Sequence, residues 1–214
     1  MNDQDRGEEI LDLRDKKNSR PFKKAFINII AVVFEFIKTT LSIIILAAII
    51  RLFIIQPFIV DGQSMLPNFH DKDYLITEKV SYRFSEPQRG DIIIFNPPDA
   101  PNINYIKRII GLPGETVEIK NSNVYINGKK LVEPYLAEGT KTQTIDGKPF
   151  KITLESGQYF VMGDNRDRSR DSREIGSVPR SNIISKTWVT LFPFSDFNFT
   201  EHYNFEEGNN KVNL

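Results

Sequence analysis

One long apolar segment near the N-terminus constrains this chain more than any other feature. Residues 32–55 are mainly apolar, and beyond Lys38 their one charged residue is Arg51. A helix needs about 20 mainly apolar residues to cross a lipid bilayer, and this segment meets that requirement. We therefore predict a membrane-anchor helix over residues 25–57, with a span of about 32–55. The buried core helix of a soluble protein is the alternative, which the length of the segment disfavours.

The charges that flank this segment predict its orientation. Residues 1–24 form a mostly charged tail that we expect to be solvated and poorly ordered. Its basic residues near the span are Arg14, Lys16, Lys17, Arg20, Lys23 and Lys24. Between Gln56 and Asp73 the one basic residue is Lys72. Cytoplasmic flanks carry the excess of Lys and Arg, so we predict a single-pass protein of the cell membrane with a cytoplasmic N-terminus and an extracytoplasmic remainder.

The rest of the chain is typical of a β protein. Short apolar or alternating runs such as YIKRIIG and QYFVMG are separated by turn signals, and no stretch has sustained helical periodicity. Asn127-Gly128 is the strongest hairpin signal, Asp146-Gly147 is the next, and Pro113-Gly114 suits a type II turn. We predict a mainly β domain over residues 58–200, with a coiled antiparallel, barrel-like sheet, and a polar C-terminal tail over residues 201–214.

Composition excludes several kinds of function. The chain has 28 Lys and Arg residues against 28 Asp and Glu residues, so no overall basic field attracts nucleic acid. It has no cysteine, which rules out a thiol nucleophile and cysteine-ligated metal. Its two histidines, His70 and His202, are too few for a histidine-rich metal site. We therefore predict no metal and no nucleic-acid partner.

Four segments carry the candidate chemistry, and a serine and a lysine lie in two of them. They are GQSMLPNFHDKDYLI (62–76), RGDIIIFNPP (89–98), NYIKRIIGLPGE (104–115) and GDNRDRSRDSREIGSVP (163–179). A serine becomes a strong nucleophile when a base takes its proton. Lys107 has apolar neighbours, and burial among them would lower its pKa and free the amine. On local sequence alone, a turn role for Ser64 and an exposed, paired side chain for Lys107 are the more common outcomes.

Taken together with the apolar segment, these four segments resemble the ordered sequence boxes of type I signal peptidases. This is the serine–lysine leader peptidase family, and the resemblance is to its Gram-positive-like form. It covers roughly residues 40–195, and the Gly-Asp-Asn-Arg run is its most specific part. It implies an endopeptidase without a cofactor, in which Ser64 is the nucleophile and Lys107 the general base.

The resemblance also implies a supporting set of residues: Ser169, Asp171, Arg173, Asp164 and Arg108. Ser169 would position the lysine amine by a hydrogen bond. The charged residues would form two ion pairs, Asp171 with Arg173 and Asp164 with Arg108. Some family members carry a serine two positions before the nucleophile as an oxyanion donor, whereas this chain has Gly62. The second donor is therefore either the Gly62 backbone or absent.

Substrate selection follows from the same resemblance. Two shallow apolar pockets are implied, lined by Phe58, Val60, Met65, Leu75, Tyr105 and Ile106. Such pockets admit small side chains, which matches the small-x-small cleavage sites of signal peptides. The implied partners are preproteins that carry signal peptides, the lipid bilayer, and the secretion translocon as a further candidate.

Three other interpretations remain open at the level of sequence. A Ser64–His70–Asp triad is formally possible, although no nucleophile-elbow motif is present. A self-cleaving repressor-type Ser-Lys peptidase would share the dyad, but it would lack the membrane anchor. A membrane-tethered β domain without catalysis would be indicated by loss of the serine or the lysine, and both are present.

Overall fold

The computed structural model describes residues 3–204 and 211–213 of the backbone, and the side chains of residues 22–201 and Tyr203. The chain divides into two compact units, Met1–Ile50 and Arg51–Leu214. The first consists of most of one long helix, and the second contains all the described strands.

The long helix, α1, runs from Asp3 to Phe53. Its part from Phe22 to Phe53 is long and apolar enough to cross a membrane, judged by length and composition, and its apolar side chains are exposed. Glu35 and Lys38 form an ion pair of 2.7 Å on its surface. The helix begins well before residue 25, unlike the poorly ordered tail that we predicted. The charged segment is rich in Glu, Leu, Lys and Arg, which favour helix and extend the hydrogen-bonded ladder.

Fourteen strands follow the helix in the described part of the chain. They are β1 (Ile55–Ile59), β2 (Tyr74–Glu78), β3 (Ile92–Phe95), β4 (Tyr105–Gly111), β5 (Thr116–Lys120), β6 (Asn123–Ile126), β7 (Lys129–Lys130), β8 (Phe150–Thr153), β9 (Gln158–Met162), β10 (Val178–Pro179), β11 (Ile183–Phe192), β12 (Asn198–Phe199), β13 (His202–Asn204) and β14 (Lys211–Asn213). The helices α2 (Ser81–Phe84) and α3 (Ser172–Ile175) are one turn each, as are 3-10 turns at Arg180–Asn182 and Phe194–Asp196.

The strands form a large sheet, a smaller sheet and a two-stranded pair. The large sheet has the order β1-β2-β11-β3-β4-β9-β10, with β12 on β11, and the smaller has the order β7-β6-β5-β8. All pairs within these sheets are antiparallel. The late strand β11 lies between β2 and β3, which are much earlier in the sequence. The predicted mainly β fold, a curled antiparallel sheet with one N-terminal apolar helix, is confirmed.

The turn predictions have mixed outcomes. Asn127 and Gly128 both have positive φ and link β6 to β7 as a two-residue hairpin loop. Gly114 also has positive φ, in a turn closed by the Glu115 N–H and the Leu112 carbonyl. Asp146-Gly147 lies in a turn, but it is not a hairpin, because the following β8 pairs with β5 and not with β7.

Two predicted boundaries differ from the structure. The anchor was predicted to reach residue 57, but α1 ends at Phe53 and β1 begins at Ile55, where the chain pairs with β2. The predicted C-terminal tail contains the β13–β14 pair. The Tyr203 ring lies 5.6 Å from the Tyr135 ring and packs against a core cluster that includes the buried residues of the smaller sheet. Apolar burial of Tyr203 is a tertiary effect that the polar local sequence does not reveal.

One of three core clusters supports the candidate site directly. It contains Val60, Met65, Phe69, Leu75 and Ile92, with Ile106 packed against it. These residues come from the connection between β1 and β2 and from β2, β3 and β4. Burial of these side chains fixes the connection that carries Ser64 against the strand that carries Lys107.

Candidate active site

Ser64 and Lys107 lie in direct contact. Ser64 lies in the connection between β1 and β2, and Lys107 lies on β4 opposite Ile93 of β3. The Lys107 Nζ lies 2.7 Å from the Ser64 Oγ and 2.8 Å from the Ile106 carbonyl oxygen. The lysine is only 4% exposed. The two residues that the sequence motifs singled out are therefore in direct hydrogen-bond contact.

Burial changes the acidity of the lysine. The pKa of Lys107 is lowered to about 8: desolvation and nearby Arg173 lower it, whereas Asp171 and Asp164 act to raise it. Desolvation is the largest of these effects, because a charged ammonium loses its hydration when it is buried. With this pKa, about a tenth of the amine is neutral at pH 7 and about half at pH 8, and the neutral form can accept a proton.

The loop around Ser64 is held by several backbone hydrogen bonds. The Ser64 carbonyl accepts from the Asn165 N–H at 3.0 Å, and the Asn165 side chain donates to the Gln63 carbonyl at 3.0 Å. Gly62 has φ +101°, a conformation that favours glycine. Its N–H donates to the Asp71 carboxylate at 2.7 Å. Among the described residues, no partner takes the Ser64 N–H, which is thus free to donate to a ligand.

The approach of the 163–169 segment to this loop requires a glycine. A Cβ at Gly163 would lie 2.3 Å from the Ser169 Oγ and 2.4 Å from the Ser64 carbonyl oxygen. Ser169 is thus next to the loop that carries Ser64. Its hydroxyl, however, is buried without a hydrogen-bond partner among the described residues, so the expected bond to the lysine amine is not present.

Asp171 and Arg173 form the first of the two expected ion pairs. The Arg173 Nε and Nη2 donate to the two Asp171 carboxylate oxygens at 2.8 and 2.9 Å. Asp171 is fully buried, caps α3, and also accepts from the Gly163 N–H at 3.0 Å. The Arg173 Nη2 also donates to the Arg166 carbonyl at 2.7 Å. The pair therefore fixes the segment that follows β9 and carries Ser169 to the site.

Arg108 and Asp164 form the second pair. The Arg108 Nε and Nη2 donate to the Asp164 oxygens at 2.9 and 2.7 Å, and both side chains are 1% exposed. The guanidinium also donates to the Gly90 carbonyl and lies 4.0 Å from the centre of the Tyr135 ring. Arg108 is adjacent to Lys107 on β4, but its contacts are to a different group of side chains.

A cavity of about 310 Å³ opens beside Ser64 and Lys107. Its lining includes five of the six predicted pocket residues: Phe58, Val60, Leu75, Tyr105 and Ile106. Met65 is not among the lining residues and is fully buried, in the core cluster that also contains Val60 and Leu75. Its assignment to a pocket stays a prediction.

Sequence reasoning missed several cavity residues. Ile94 lies opposite Ile106 in the β3–β4 pair, so the strand register would have identified it. Arg168 and Arg170 also line the cavity. Arg168 donates to the Gln63 side chain at 2.8 Å, and Arg170 pairs with Glu174 at 2.6 Å. Nothing in their local sequence distinguishes these arginines from surface charges.

His70 does not contact Ser64. Its Nδ1 lies 3.6 Å from the Asp196 carboxylate, and the residue lines a second cavity, separate from the one beside the serine. The Ser64–His70–Asp triad is therefore not formed.

Comparison with known proteins identifies related sequences. The family model for signal peptidase, peptidase S26, matches residues 33–192. The chain is 41% identical over 176 residues to a signal peptidase I of Bacillus licheniformis, covering 78% of this chain and 93% of that protein. It is 40% identical over 173 residues to the signal peptidase I T of Bacillus subtilis strain 168, covering 78% and 89% respectively.

A solved structure is also similar in sequence. It is a signal peptidase I from Enterococcus faecalis V583, 36% identical, covering 48% of this chain and 97% of that chain with a TM-score of 0.41. The family model covers most of the chain, and the relatives match nearly their whole length at about 40% identity. This chain therefore belongs to the signal peptidase family, peptidase S26.

Proposed function

We propose that this protein is a serine endopeptidase in which Ser64 is the nucleophile and Lys107 the general base, and that it removes N-terminal signal peptides from exported preproteins. One observation carries the proposal: a lysine amine that is nearly inaccessible to water lies 2.7 Å from a serine hydroxyl. A serine needs an adjacent base for activation, and an amine with a pKa of about 8 can serve at neutral pH.

In the first chemical step, the neutral Lys107 amine takes the Ser64 hydroxyl proton. The Ser64 Oγ attacks the scissile carbonyl carbon and forms a tetrahedral intermediate with a negative oxygen. The Lys107 ammonium then gives its proton to the leaving nitrogen as the C–N bond breaks. The mature protein leaves with a free amino terminus, and the signal peptide remains as an ester on Ser64.

In the second step, a water replaces the departed amine. Lys107, neutral again, takes a proton from that water, and the resulting hydroxide attacks the ester carbonyl. Collapse of the second tetrahedral intermediate returns the proton to the Ser64 Oγ and releases the signal peptide with a carboxylate terminus. The lysine is thus the base in the first half of each step and the acid in the second half.

The backbone supplies the stabilisation of the negative oxygen. The Ser64 N–H is without an intramolecular partner in the described residues and supports the role of oxyanion donor. The Gly62 N–H already donates to Asp71 at 2.7 Å, which argues against it as the second donor. Of the two alternatives left by the sequence, a single donor from this loop is the one we propose.

Three residues act on the lysine through positioning. Ser169 is buried beside the nucleophile loop with an unpartnered hydroxyl, and we propose that it donates to or accepts from the Lys107 amine during turnover. Asp171 and Arg173 hold the segment that carries Ser169, as described above. Arg108 and Asp164 stabilise the sheet next to the lysine.

The cavity beside the dyad supports a preference for small side chains. Large apolar residues, Phe58, Leu75 and Ile106, occupy its walls. We propose that alanine-sized side chains fit before the cleaved bond and two positions further back, whereas a bulky residue would force the walls apart at a cost of about 1–3 kcal/mol or more. The proposed substrates are therefore preproteins with small-x-small sites.

The proposed location follows from α1. The helix anchors the protein in the bilayer, with the N-terminus in the cytoplasm and the peptidase domain outside, where signal peptides emerge. The secretion translocon is a candidate partner there. Protease added to intact spheroplasts should digest the peptidase domain and spare an N-terminal tag. Digestion of the tag alone would refute this orientation.

The experiment that tests the catalytic proposal uses Ser64→Ala and Lys107→Ala in detergent-solubilised full-length protein. Each should abolish cleavage of a preprotein while circular dichroism remains unchanged. The double variant should be little worse than either single variant, because the two residues act as one unit. Lys129→Ala, an exposed lysine on β7, is the matched control and should cleave normally. Normal turnover by a folded Lys107→Ala protein would exclude the mechanism.

Specificity is tested separately with a panel of preproteins and mass-spectrometric mapping of the cut. Sites with Ala-x-Ala should be cut, and Leu or Phe at either small position should block cleavage. Ile106→Ala should relax the requirement at one position and leave the other strict. Efficient cleavage after Phe by the unaltered protein would contradict the assignment of the pockets.

A further inference from the structure

A second cavity, of about 400 Å³, lies away from the dyad and has no role in the proposed reaction. One wall is the end of the β1–β2 connection, from Asn68 to Asp73. The facing wall runs from Ser195 to Glu201, after β11. The cavity is therefore bounded by the far end of the loop that carries Ser64 and by a segment more than a hundred residues later in the chain.

Three side chains with metal-ligating atoms converge in this cavity: His70, Asp73 and Asp196. Each offers one ligand atom, and all three atoms lie within 4.8 Å of one another. The His70 Nδ1 and an Asp196 oxygen are separated by 3.6 Å. His70 is exposed, Asp196 is half-buried and Asp73 is buried, so the cluster is open to solvent on one side.

Asp73 provides an independent indication that a ligand belongs here. It is 2% exposed, and one of its carboxylate oxygens accepts from the His70 N–H at 2.8 Å. The other oxygen, Oδ1, is buried without a hydrogen-bond partner among the described residues. An unpaired buried carboxylate oxygen is costly. The Thr200 hydroxyl, in the lining of the same cavity, is also buried without a partner.

Contrary to the expectation from the sequence of no metal, we propose that His70, Asp73 and Asp196 bind a divalent first-row metal ion of the Zn²⁺ type. One imidazole and two carboxylates are a ligand set that zinc accepts, with bond lengths of about 2.0–2.2 Å. In a tetrahedral site those lengths separate neighbouring ligand atoms by about 3.4 Å, close to the 3.6 Å between His70 and Asp196. Two carboxylates also neutralise the ion, and the open side leaves a position for water.

The position of the cluster indicates a structural role for the ion. The β1–β2 connection is closed at its base by two hydrogen bonds, from Val60 N–H to the Asp73 carbonyl at 2.9 Å and from Lys72 N–H to the Val60 carbonyl at 2.8 Å. An ion held by His70 and Asp73 would tie this base to Asp196, beyond β11. It would stabilise the loop that carries Ser64 without contact to the reacting atoms.

Isothermal titration of Zn²⁺ into full-length protein, purified in detergent and stripped with EDTA, tests the proposal. One Zn²⁺ should bind per chain. At a free concentration of about 100 times Kd, the unfolding midpoint should rise by about 5–10 °C, because the ion binds the folded state alone. His70→Ala and Asp196→Ala should each weaken the affinity by at least about 100-fold, since even changes behind the ligands often cost 10–100-fold.

Two control variants make the result decisive. His202→Ala removes the other histidine of the chain, and Asp146→Asn removes an exposed carboxylate in a distant turn. Both should keep the wild-type affinity and the midpoint shift. No binding by the wild type, equal affinity in His70→Ala and Asp196→Ala, or loss of binding in His202→Ala would each overturn the proposal. Preprotein cleavage by the metal-free His70→Ala protein should match that of the metal-free wild type.

Discussion

Two buried cations stand next to each other on β4, and the regions around them differ. Lys107 contacts a serine hydroxyl and a carbonyl oxygen, with no carboxylate in hydrogen-bond contact among the described residues. Arg108 has a bidentate carboxylate partner, a carbonyl and an aromatic ring. The lysine is consequently able to lose its proton, while the arginine stays charged. The comparison teaches that residue type and partner act together: a desolvated lysine without a carboxylate partner can lose its proton, whereas an arginine held by a carboxylate stays charged and ties the structure together.

The largest expected effect comes from exchanging the two cation types. Lys107→Arg keeps the positive charge but removes the proton acceptor, because a guanidinium does not deprotonate in proteins. Cleavage of a preprotein should fall by at least about 10⁴-fold. Arg108→Lys is the matched control, and it should retain cleavage within about tenfold, at reduced stability, because a lysine makes a poorer partner for Asp164. Comparable losses from both exchanges would contradict the distinction between the two regions.

The next effect concerns stability on the arginine side. Arg108→Met leaves Asp164 buried and unpaired, and the free energy of unfolding should fall by about 3–5 kcal/mol. Urea denaturation followed by circular dichroism measures it. Arg108→Met combined with Asp164→Leu replaces the pair by apolar groups and should recover most of the loss. If the double variant is as unstable as the single one, the cost does not come from an uncompensated charge.

Replacement of Lys107 by an apolar residue should change the free energy of unfolding in the opposite direction. A lowering of the Lys107 pKa from 10.5 to about 8 corresponds to about 3 kcal/mol, at about 1.4 kcal/mol per pKa unit. Lys107→Met should therefore raise the free energy of unfolding by up to about that amount at pH 7. Between about pH 8 and 10.5 the unfolded wild type binds more protons than the folded one, so the wild type gains stability as pH rises and the difference disappears. A difference that is constant from pH 7 to 10.5 would contradict this origin.

The smallest expected effect is on the pH dependence of catalysis. The kcat/KM for a preprotein should rise with pH through an apparent pKa of about 8, as Lys107 becomes neutral. Asp164 raises the pKa of this lysine, so Asp164→Asn should move the rising limb to lower pH. Asp99→Asn, at an exposed carboxylate that pairs with Arg170, should leave the limb in place. A shift to higher pH in Asp164→Asn would mean that another group titrates.

Local sequence was sufficient where local chemistry determines structure. Asn127-Gly128 and Gly114 were identified because positive φ is a property of the residues themselves. The dyad was identified only through the family resemblance of its segments, since an isolated lysine such as Lys107 gives no sign of burial. The apolar helix was recognised from its length, but its first residue was not, because charged helix formers do not mark a boundary.

The features that the sequence did not reveal depend on distant partners. Met65 is fully buried because it belongs to a core cluster with Leu75 of β2 and Ile92 of β3. Tyr203 belongs to a folded region because Tyr135 and Arg108 lie beside it. The Gly62 N–H is engaged because Asp71 folds back onto it. Each of these outcomes follows from contacts between separate segments, which residue type and spacing do not encode.

The place of β11 in the large sheet has a consequence for synthesis. Ser64 follows β1 in one hairpin and Lys107 lies in another, formed by β3 and β4, and β11 is the strand that joins the two. It begins at Ile183, far along the chain from both hairpins. A growing chain therefore cannot complete its large sheet until β11 has been translated. Pairing across such sequence distances is also slow, so the hairpins that carry Ser64 and Lys107 stay unconnected within the sheet until β11 has joined them.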